Sequence, residues 1–263
     1  MNKQNIGITE IITNDICMTT DKHTYLCVIM PAYNEEANIE QNLLYTSSVI
    51  SSFINNYQII AINDGSSDNT LDAIMRASNS DSHISYISYH HNRGKGFAIK
   101  TGVRYANAEY IAFLDSDMEL DPSMLRYFLR FLHASDADIA IGSKMHKKSK
   151  LNYPLSRKII SFGYYLLLKT IFKLNIKDTQ TGIKLFKADI IQSICKDITT
   201  DGFAFDIEIL ATASKMGCKI IEMPITLKYS RTKDAPSKVS LKQIVSVFKD
   251  TINIKKQLNK KQF

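Results

Sequence analysis

Short apolar runs alternate with stretches of helical spacing through the first half of the chain. Tyr25 to Met30 is a continuous apolar run closed by Pro31, which reads as a buried first strand. After the polar segment Pro31-Ala-Tyr-Asn-Glu-Glu36, Ile39, Leu43, Leu44 and Ile50 recur at helical spacing. The unit of strand, loop and helix then repeats. Strand Tyr57 to Ile62 precedes helix Thr70 to Ala77, strand His83 to His90 precedes helix Phe97 to Ala106, and strand Tyr110 to Leu114 precedes helix Pro122 to Ala134. A fifth strand is expected at Ala137 to Ile141. This alternation predicts an α/β fold built on a mostly parallel sheet flanked by helices, with right-handed crossovers. Such sheets bind ligands beyond the carboxyl ends of their strands. Each polar, glycine-bearing loop here follows a strand, so the loops are expected to meet in one crevice.

Past residue 150 the pattern changes. Tyr153 to Leu174 reads as an apolar helix or helix pair, Asp178-Thr-Gln-Thr-Gly182 as a loop, and Ile183 to Phe186 as a strand. A helix from Gly202 to Met216, a strand from Lys219 to Leu227 and a helix from Ser240 onward complete the chain. The expected organisation is a loose leader over residues 1–23 with a short strand at Ile6 to Ile12, one domain over 24–239, and a basic amphipathic helix over 240–263. No GxGxxG follows the first strand and no GxxxxGK[ST] occurs, which argues against a dinucleotide fingerprint and a P-loop.

Composition changes this picture at one point, the carboxyl-terminal tail. With 44% hydrophobic and 22% charged residues the chain has ordinary globular composition. The net charge of +7 is uneven, because Ser240 to Phe263 holds six lysines against Asp250. Leu241, Ile244, Val245, Phe248 and Ile252 recur along that helix, with Lys255 and Lys256 beside them. A basic amphipathic helix suits an anionic membrane surface. Nucleic acid is not expected, since no helix-turn-helix, zinc module or aromatic-basic pattern supports it. Ile159 to Leu168, the most apolar segment, is too short to span a bilayer, and residues 1–22 have no apolar signal core. The four cysteines have no metal-ligand spacing and read as reduced thiols. These features together predict a cytoplasmic protein lying peripherally on a membrane face, with a second contact at Ile159 to Phe172.

The candidate chemistry centres on the end of the fourth strand, where Asp115, Asp117 and Glu119 follow an apolar run at spacings of two. If the chain stayed extended, all three carboxylates would point the same way. Acids at the end of a buried strand require a compensating cation, and a hard divalent ion bridging to phosphates fits them. Asp121 before Pro122 reads as a helix cap. Arg93 and Lys95, between glycines at a helix start, either meet a phosphate or are solvated charges on a glycine turn. Glu36 reads as a first-turn helix charge and Asp68 as a cap.

Six segments in order carry a resemblance. They are Pro31-Ala-Tyr-Asn-Glu35, Asn63-Asp-Gly-Ser-Ser-Asp-Asn-Thr70, Asn92-Arg-Gly-Lys-Gly96, Leu114-Asp-Ser-Asp-Met-Glu119, Asp178-Thr-Gln-Thr-Gly-Ile-Lys-Leu-Phe186 and Gly202-Phe-Ala-Phe-Asp-Ile-Glu-Ile-Leu210. Together they resemble the inverting family-2 glycosyltransferases of the Rossmann-like GT-A fold. The branch they resemble is that of the dolichyl- or polyprenyl-phosphate hexose synthases, which includes dolichol-phosphate mannose synthase and dolichyl-phosphate glucosyltransferase. The resemblance implies that Pro31, Tyr33, Glu35, Ile62 and Asp64 hold the nucleobase and ribose of a nucleoside-diphosphate sugar, with Lys95 and Ser116 also at the substrate. It implies that Asp115 and Asp117, with Glu119 beside them, bind Mg2+ or Mn2+. It further implies that Lys144, Arg157, Ser161, Arg231 and Lys238 hold the acceptor phosphate or the donor diphosphate. Lys144 stands where arginine is usual, and Ala235-Pro236 where glycine is common.

The expected activity is metal-dependent inverting transfer of a hexose from UDP-glucose or GDP-mannose to a polyprenyl phosphate, with Asp117, Arg157 and Asp206 in the catalytic roles. A phosphate acceptor is already an anion and needs no strong base, whereas a hydroxyl acceptor needs one. Asp178, Asp206 and Glu208 are the candidates for that base. Asp178 reads equally as a loop organiser and Glu208 as an ordinary helix acid. Transfer to a hydroxyl of a polysaccharide or glycolipid is the second reading, and sugar-nucleotide binding without turnover is the third.

Overall fold

A computed structural model of the chain describes residues 12–13, 23–151, 166, 168–172, 174–202, 204–227 and 241–260. Its main sheet has eight strands in the order β1-β4-β3-β2-β5-β8-β6-β9. The strands are β1 (Ile12–Thr13), β2 (Thr24–Ala32), β3 (Tyr57–Asp64), β4 (Ile84–Tyr89), β5 (Ala108–Leu114), β6 (Ile139–Ser143), β8 (Ile183–Lys187) and β9 (Ile220–Pro224). The helices are α1 (Ile39–Ser51), α2 (Thr70–Ser80), α3 (Lys95–Tyr105), α4 (Met124–Ala134), α5 (Ala188–Asp197), α6 (Phe205–Lys215) and α7 (Leu241–Lys260), and residues 168–172 are also helical.

Strand β2 pairs in parallel with β3 and with β5, so it lies in the middle of the sheet, which is why its sequence is continuously apolar. Its alternate residues serve two cores. Cys27 and Ile29 face a layer made by α3, α5, α6 and the end of α7. Leu26, Val28 and Met30 face a layer made by α1, α2 and α4. The result is three layers, helices on both faces of a mostly parallel sheet, as the alternation in the sequence implies.

Four features depart from the sequence expectation. Ile12 and Thr13, inside the expected loose leader, pair antiparallel with Ser88 and Ile87; the rest of the expected strand from Ile6 lies outside the described residues. Strand β8 inserts antiparallel between β5 and β6, because it pairs with both. Helix α5 follows β8 directly, burying Ala188, Ile191 and Ile194. The single strand expected over Lys219 to Leu227 divides after Pro224, which has no N–H to continue a ladder. Beyond it β10 (Thr226–Leu227) pairs with β7 (Lys150–Leu151) in a separate two-stranded sheet.

The carboxyl-terminal helix has a buried stripe beside the expected apolar positions, of which Ile252 is 37% exposed. Thr251, Ile254 and Leu258 are buried, and the two apolar side chains join the core beside α6. Thr199 Oγ donates to Gln257 at 2.9 Å, and Lys215 Nζ donates to the Leu258 carbonyl. In its described part this helix is therefore docked on the domain along one stripe. Among the described residues no helix is long and apolar enough to cross a membrane. Cys27 is buried, and among the described residues Cys27, Cys195 and Cys218 form no disulfide.

Candidate active site

The loops after β2 and β3 are stitched together before any ligand is considered. Asn34, in the left-handed region at φ 53°, accepts the backbone N–H of Ser67 at 2.9 Å, and its own N–H donates to Ser66 Oγ at 3.0 Å. Glu36 accepts the N–H of Asn69 at 2.9 Å, and the Glu35 N–H donates to Thr70 Oγ1 at 2.8 Å. Asp68 accepts from the Thr70 N–H at 3.0 Å and so opens α2. This bracing leaves Tyr33 47% exposed at the rim. Pro31 and Glu35 lie half-buried near it in the chain.

Two of the expected nucleotide contacts are placed differently. The Ile62 side chain is fully buried in the core with Ile60 and Ile87, so it offers no surface to a ligand. Asp64 is also buried, and its carboxylate is filled by protein donors. Oδ1 accepts from Tyr89 OH at 2.7 Å and the Arg93 N–H at 2.8 Å, while Oδ2 accepts from Asn92 Nδ2 and the Gly94 N–H, each at 3.0 Å. Burial pushes the Asp64 carboxyl up, and the Arg93, Tyr89 and Gly94 donors work against that. Four donors account for a carboxylate's acceptor capacity, so Asp64 shapes the 92–94 loop.

That loop does not present a free helix start to phosphate. The N–H groups of Gly96 and Phe97, which open α3, both donate to the Asp201 carbonyl, at 2.8 and 3.3 Å. A Cβ on Gly96 would meet that oxygen at 2.9 Å, so only glycine allows the approach. Lys100 Nζ holds the Asp201 side chain at 2.6 Å. The Arg93 guanidinium stacks on the Phe97 ring, 3.7 Å from its centroid.

Lys95 is the exception, since its ammonium reaches the acids at the end of β5 and lies 2.5 Å from Asp115 Oδ1. Burial opposes its charge, but Asp115, Asp206 and Asp117 outweigh burial and hold the lysine above its usual range. On the other side Asp115 packs on Gly182, where an added Cβ would fall 2.1 Å from Oδ2. The chain does not stay extended past Leu114. Met118 adopts a left-handed φ of 56°, Asp117 Oδ1 accepts the Glu119 N–H at 3.2 Å, and Asn42 Nδ2 pins the Ser116 carbonyl at 2.8 Å. Ser116 itself is buried. Asp121 Oδ1 accepts the Ser123 N–H at 3.0 Å, so that residue caps the start of α4.

Because the chain turns at Met118, the three acids do not share one direction. Among the described residues no three His, Cys, Asp or Glu side chains gather into a metal-binding group. Glu119 thus does not complete a three-carboxylate set with Asp115 and Asp117. The pair still fits a divalent ion by its chemistry: two oxygen donors at one strand end, the remaining positions left for phosphate oxygens and water.

The three candidate bases are all committed elsewhere. Asp178 Oδ2 accepts the Lys144 N–H at 2.8 Å and Thr181 Oγ1 at 2.6 Å, while Oδ1 accepts the Gln180 N–H at 3.2 Å, so it ties its loop to the end of β6. Lys144 Nζ stands 3.9 Å from the same carboxylate. Glu208, buried in α6, accepts the N–H groups of Thr199 and Thr200 at 3.2 and 2.9 Å, fixing the segment that delivers Asp201 to α3. Asp206, in the first turn of α6, forms an ion pair at 2.7 Å with Lys184 of β8, and the two side chains are only 8% and 2% exposed. Lys184 Nζ also donates to the Thr181 carbonyl at 2.7 Å. Sequence reasoning missed Lys184. Its signal was a lysine alternating with Ile183 and Leu185 in an apolar strand, a placement that demands a buried acid as partner. Arg157, Ser161, Arg231 and Lys238 lie outside the described residues.

Known proteins resemble this chain in sequence and in fold. Residues 27–195 match Glycosyl transferase family 2. The dolichyl-phosphate beta-glucosyltransferase of Dictyostelium discoideum is 30% identical over 223 residues, covering 76% of this chain and 65% of that protein. The Saccharomyces cerevisiae protein of the same name is 30% identical over 228 residues, covering 78% and 67%. The chain thus spans about two thirds of the length of these relatives. Among solved structures, Mycobacterium tuberculosis glucosyl-3-phosphoglycerate synthase with UDP superposes with a TM-score of 0.65 at 15% identity, covering 91% of this chain and 82% of that one. The same synthase with Mn2+, UDP and glucosyl-3-phosphoglycerate gives 0.63 at 16% identity, covering 88% and 78%. These likenesses are of fold, and the fold is GT-A. With the family match spanning residues 27–195, well over half of the sequence, the chain belongs to glycosyl transferase family 2.

Proposed function

We propose that this chain transfers a hexose, with inversion, from a nucleoside-diphosphate sugar to a polyprenyl or dolichyl phosphate. The observation that carries the acceptor class is the engagement of Asp178, Asp206 and Glu208. Asp206 is held in a buried ion pair with Lys184 at 2.7 Å. Asp178 and Glu208 are spent on backbone donors. None of the three is free to deprotonate a hydroxyl, whereas a phosphate monoester arrives as an anion. The names of the Dictyostelium and yeast relatives support the same acceptor and favour glucose as the sugar.

In this reading the exposed Tyr33 ring offers a stacking face to the base, and Lys95 offers a cation near the phosphates. Asp115 and Asp117 would hold Mn2+ or Mg2+, which supplies charge neutralisation on the departing nucleoside diphosphate. The Mn2+ and UDP in the solved synthase support a divalent ion and a uridine donor. The test is a donor panel of UDP-glucose and GDP-mannose with Mn2+ and a short-chain polyprenyl phosphate, scoring sugar transferred to lipid. UDP-glucose is expected to give lipid-linked glucose that chelation abolishes; nucleoside diphosphate released without lipid product sinks the proposal.

A lipid acceptor also gives the tail a purpose. Ile252 lies one residue, roughly 100° around the helix, from the docked Thr251. Ile252 is 37% exposed and Lys256 is exposed. We assign the face that carries Ile252 and Lys256 to the headgroup region of an anionic membrane. Sedimentation with vesicles should be strong for anionic lipid, weak for neutral lipid and lost in Ile252→Asp; binding equal on both lipids would contradict the assignment.

A further inference from the structure

We propose that Lys95 is a built-in counter-ion that occupies Asp115 until a divalent cation displaces it, so that metal arrival frees the ammonium for the donor phosphates. The inference rests on the reading that Asp115 and Asp117 hold the metal. Both oxygens of Asp115 have close neighbours. Its Oδ2 faces Gly182 so closely that an added Cβ would lie 2.1 Å away. Its backbone N–H donates to the Gly182 carbonyl at 3.2 Å, which ties the strand end to the 178–182 loop. The other oxygen, Oδ1, is the one that Lys95 Nζ holds at 2.5 Å. A cation that takes Oδ1 must displace that ammonium.

The backbone under Lys95 is fixed while its side chain is long and free to swing. Gly96 and Phe97 are bonded to the Asp201 carbonyl, Lys100 holds Asp201 from the side, and Arg93 stacks on Phe97. Any response of Lys95 is therefore a rotamer change of a four-carbon stem, with no loop movement. Asp115 pairs with the ammonium, and Asp117 and Asp206 also attract it. A divalent cation on Asp115 and Asp117 turns two of those attractions into repulsion from a nearby double charge. Asp206 remains, already shared with Lys184. The displaced ammonium then has the phosphate oxygens of the donor as its best new partner.

The test uses Mn2+ binding to the purified full chain without nucleotide, followed by the electron paramagnetic resonance of free Mn2+, and then UDP binding at saturating Mn2+. Lys95→Met is expected to bind Mn2+ at least tenfold more tightly than the unmodified chain and to bind UDP more weakly. Circular dichroism checks the fold, and Lys95→Gln reads the same comparison if the methionine variant does not fold. Lys95→Arg, which keeps a cation on Asp115, is expected not to gain Mn2+ affinity. Asp115→Asn separates the two levels of inference. If it weakens Mn2+ binding while folded Lys95→Met leaves it unchanged or weaker, the counter-ion proposal is overturned and the metal reading stands. If Asp115→Asn has no effect on Mn2+ binding, both are overturned.

Discussion

Asp115→Asn is expected to lower sugar transfer by about three orders of magnitude, the equivalent of several kcal/mol of charge stabilisation lost where the leaving diphosphate departs. Asparagine keeps the size of aspartate, so the contact with Gly182 and the bond from the Asp115 N–H to the Gly182 carbonyl are retained. What disappears is one of two carboxylates that face the expected metal, together with the acid nearest Lys95. The fold should survive, because Asp115 sits at the rim of the sheet with its side chain about a third exposed, at 35%. Steady-state kcat/KM with UDP-glucose and polyprenyl phosphate, beside a thermal melt, measures both halves of the claim. Activity within tenfold of the unmodified chain would remove the metal role from Asp115.

The largest stability effect is expected at Lys184. Replacing it by methionine leaves Asp206 as a buried carboxylate without its ion-pair partner, which costs about 3–5 kcal/mol. It also frees the Thr181 carbonyl, loosening the loop whose Gly182 backs Asp115. The double variant Lys184→Met with Asp206→Leu removes both charges, and a packed apolar pair in that place should recover most of the loss. Urea unfolding midpoints of the two single variants and the double variant form the cycle. Additive losses, with the double variant as unstable as the sum, would show that the pair is not coupled. This outcome would also weaken the acceptor assignment, which depends on Asp206 being bound to Lys184.

The periodic part of the chain is legible because each piece is local. The apolar run of β2, the helical spacing of α1 and the caps at Asp68 and Asp121 all depend on neighbours within a turn or two. What escapes is nonlocal. Nothing in Ile183-Lys-Leu-Phe186 announces that the strand enters between β5 and β6 against their direction. Helix α5 begins at the residue after β8 with no glycine or proline to mark a boundary, although Ala188, Ile191 and Ile194 carry the spacing.

The site divides along the same line. That acids stand at the end of β5 is readable from sequence, but their direction is not, because it turns on the left-handed Met118. Asp64 looks like a ligand group in the string of residues, and only the folded loop reveals that its oxygens are filled from Tyr89, Asn92, Arg93 and Gly94. The apolar positions of α7 suggest one amphipathic face, while packing docks Thr251, Ile254 and Leu258 and leaves Ile252 outward.

The central proposal is that the acceptor brings its own negative charge, because the three candidate bases Asp178, Asp206 and Glu208 are engaged. It is tested most directly by offering the same short polyprenyl chain in two forms, as the phosphate and as the free alcohol, with UDP-glucose and Mn2+. Transfer to the phosphate alone is the predicted result. Transfer of glucose to the alcohol at a comparable rate would contradict it, since that reaction needs a base that Asp178, Asp206 and Glu208 are not free to supply.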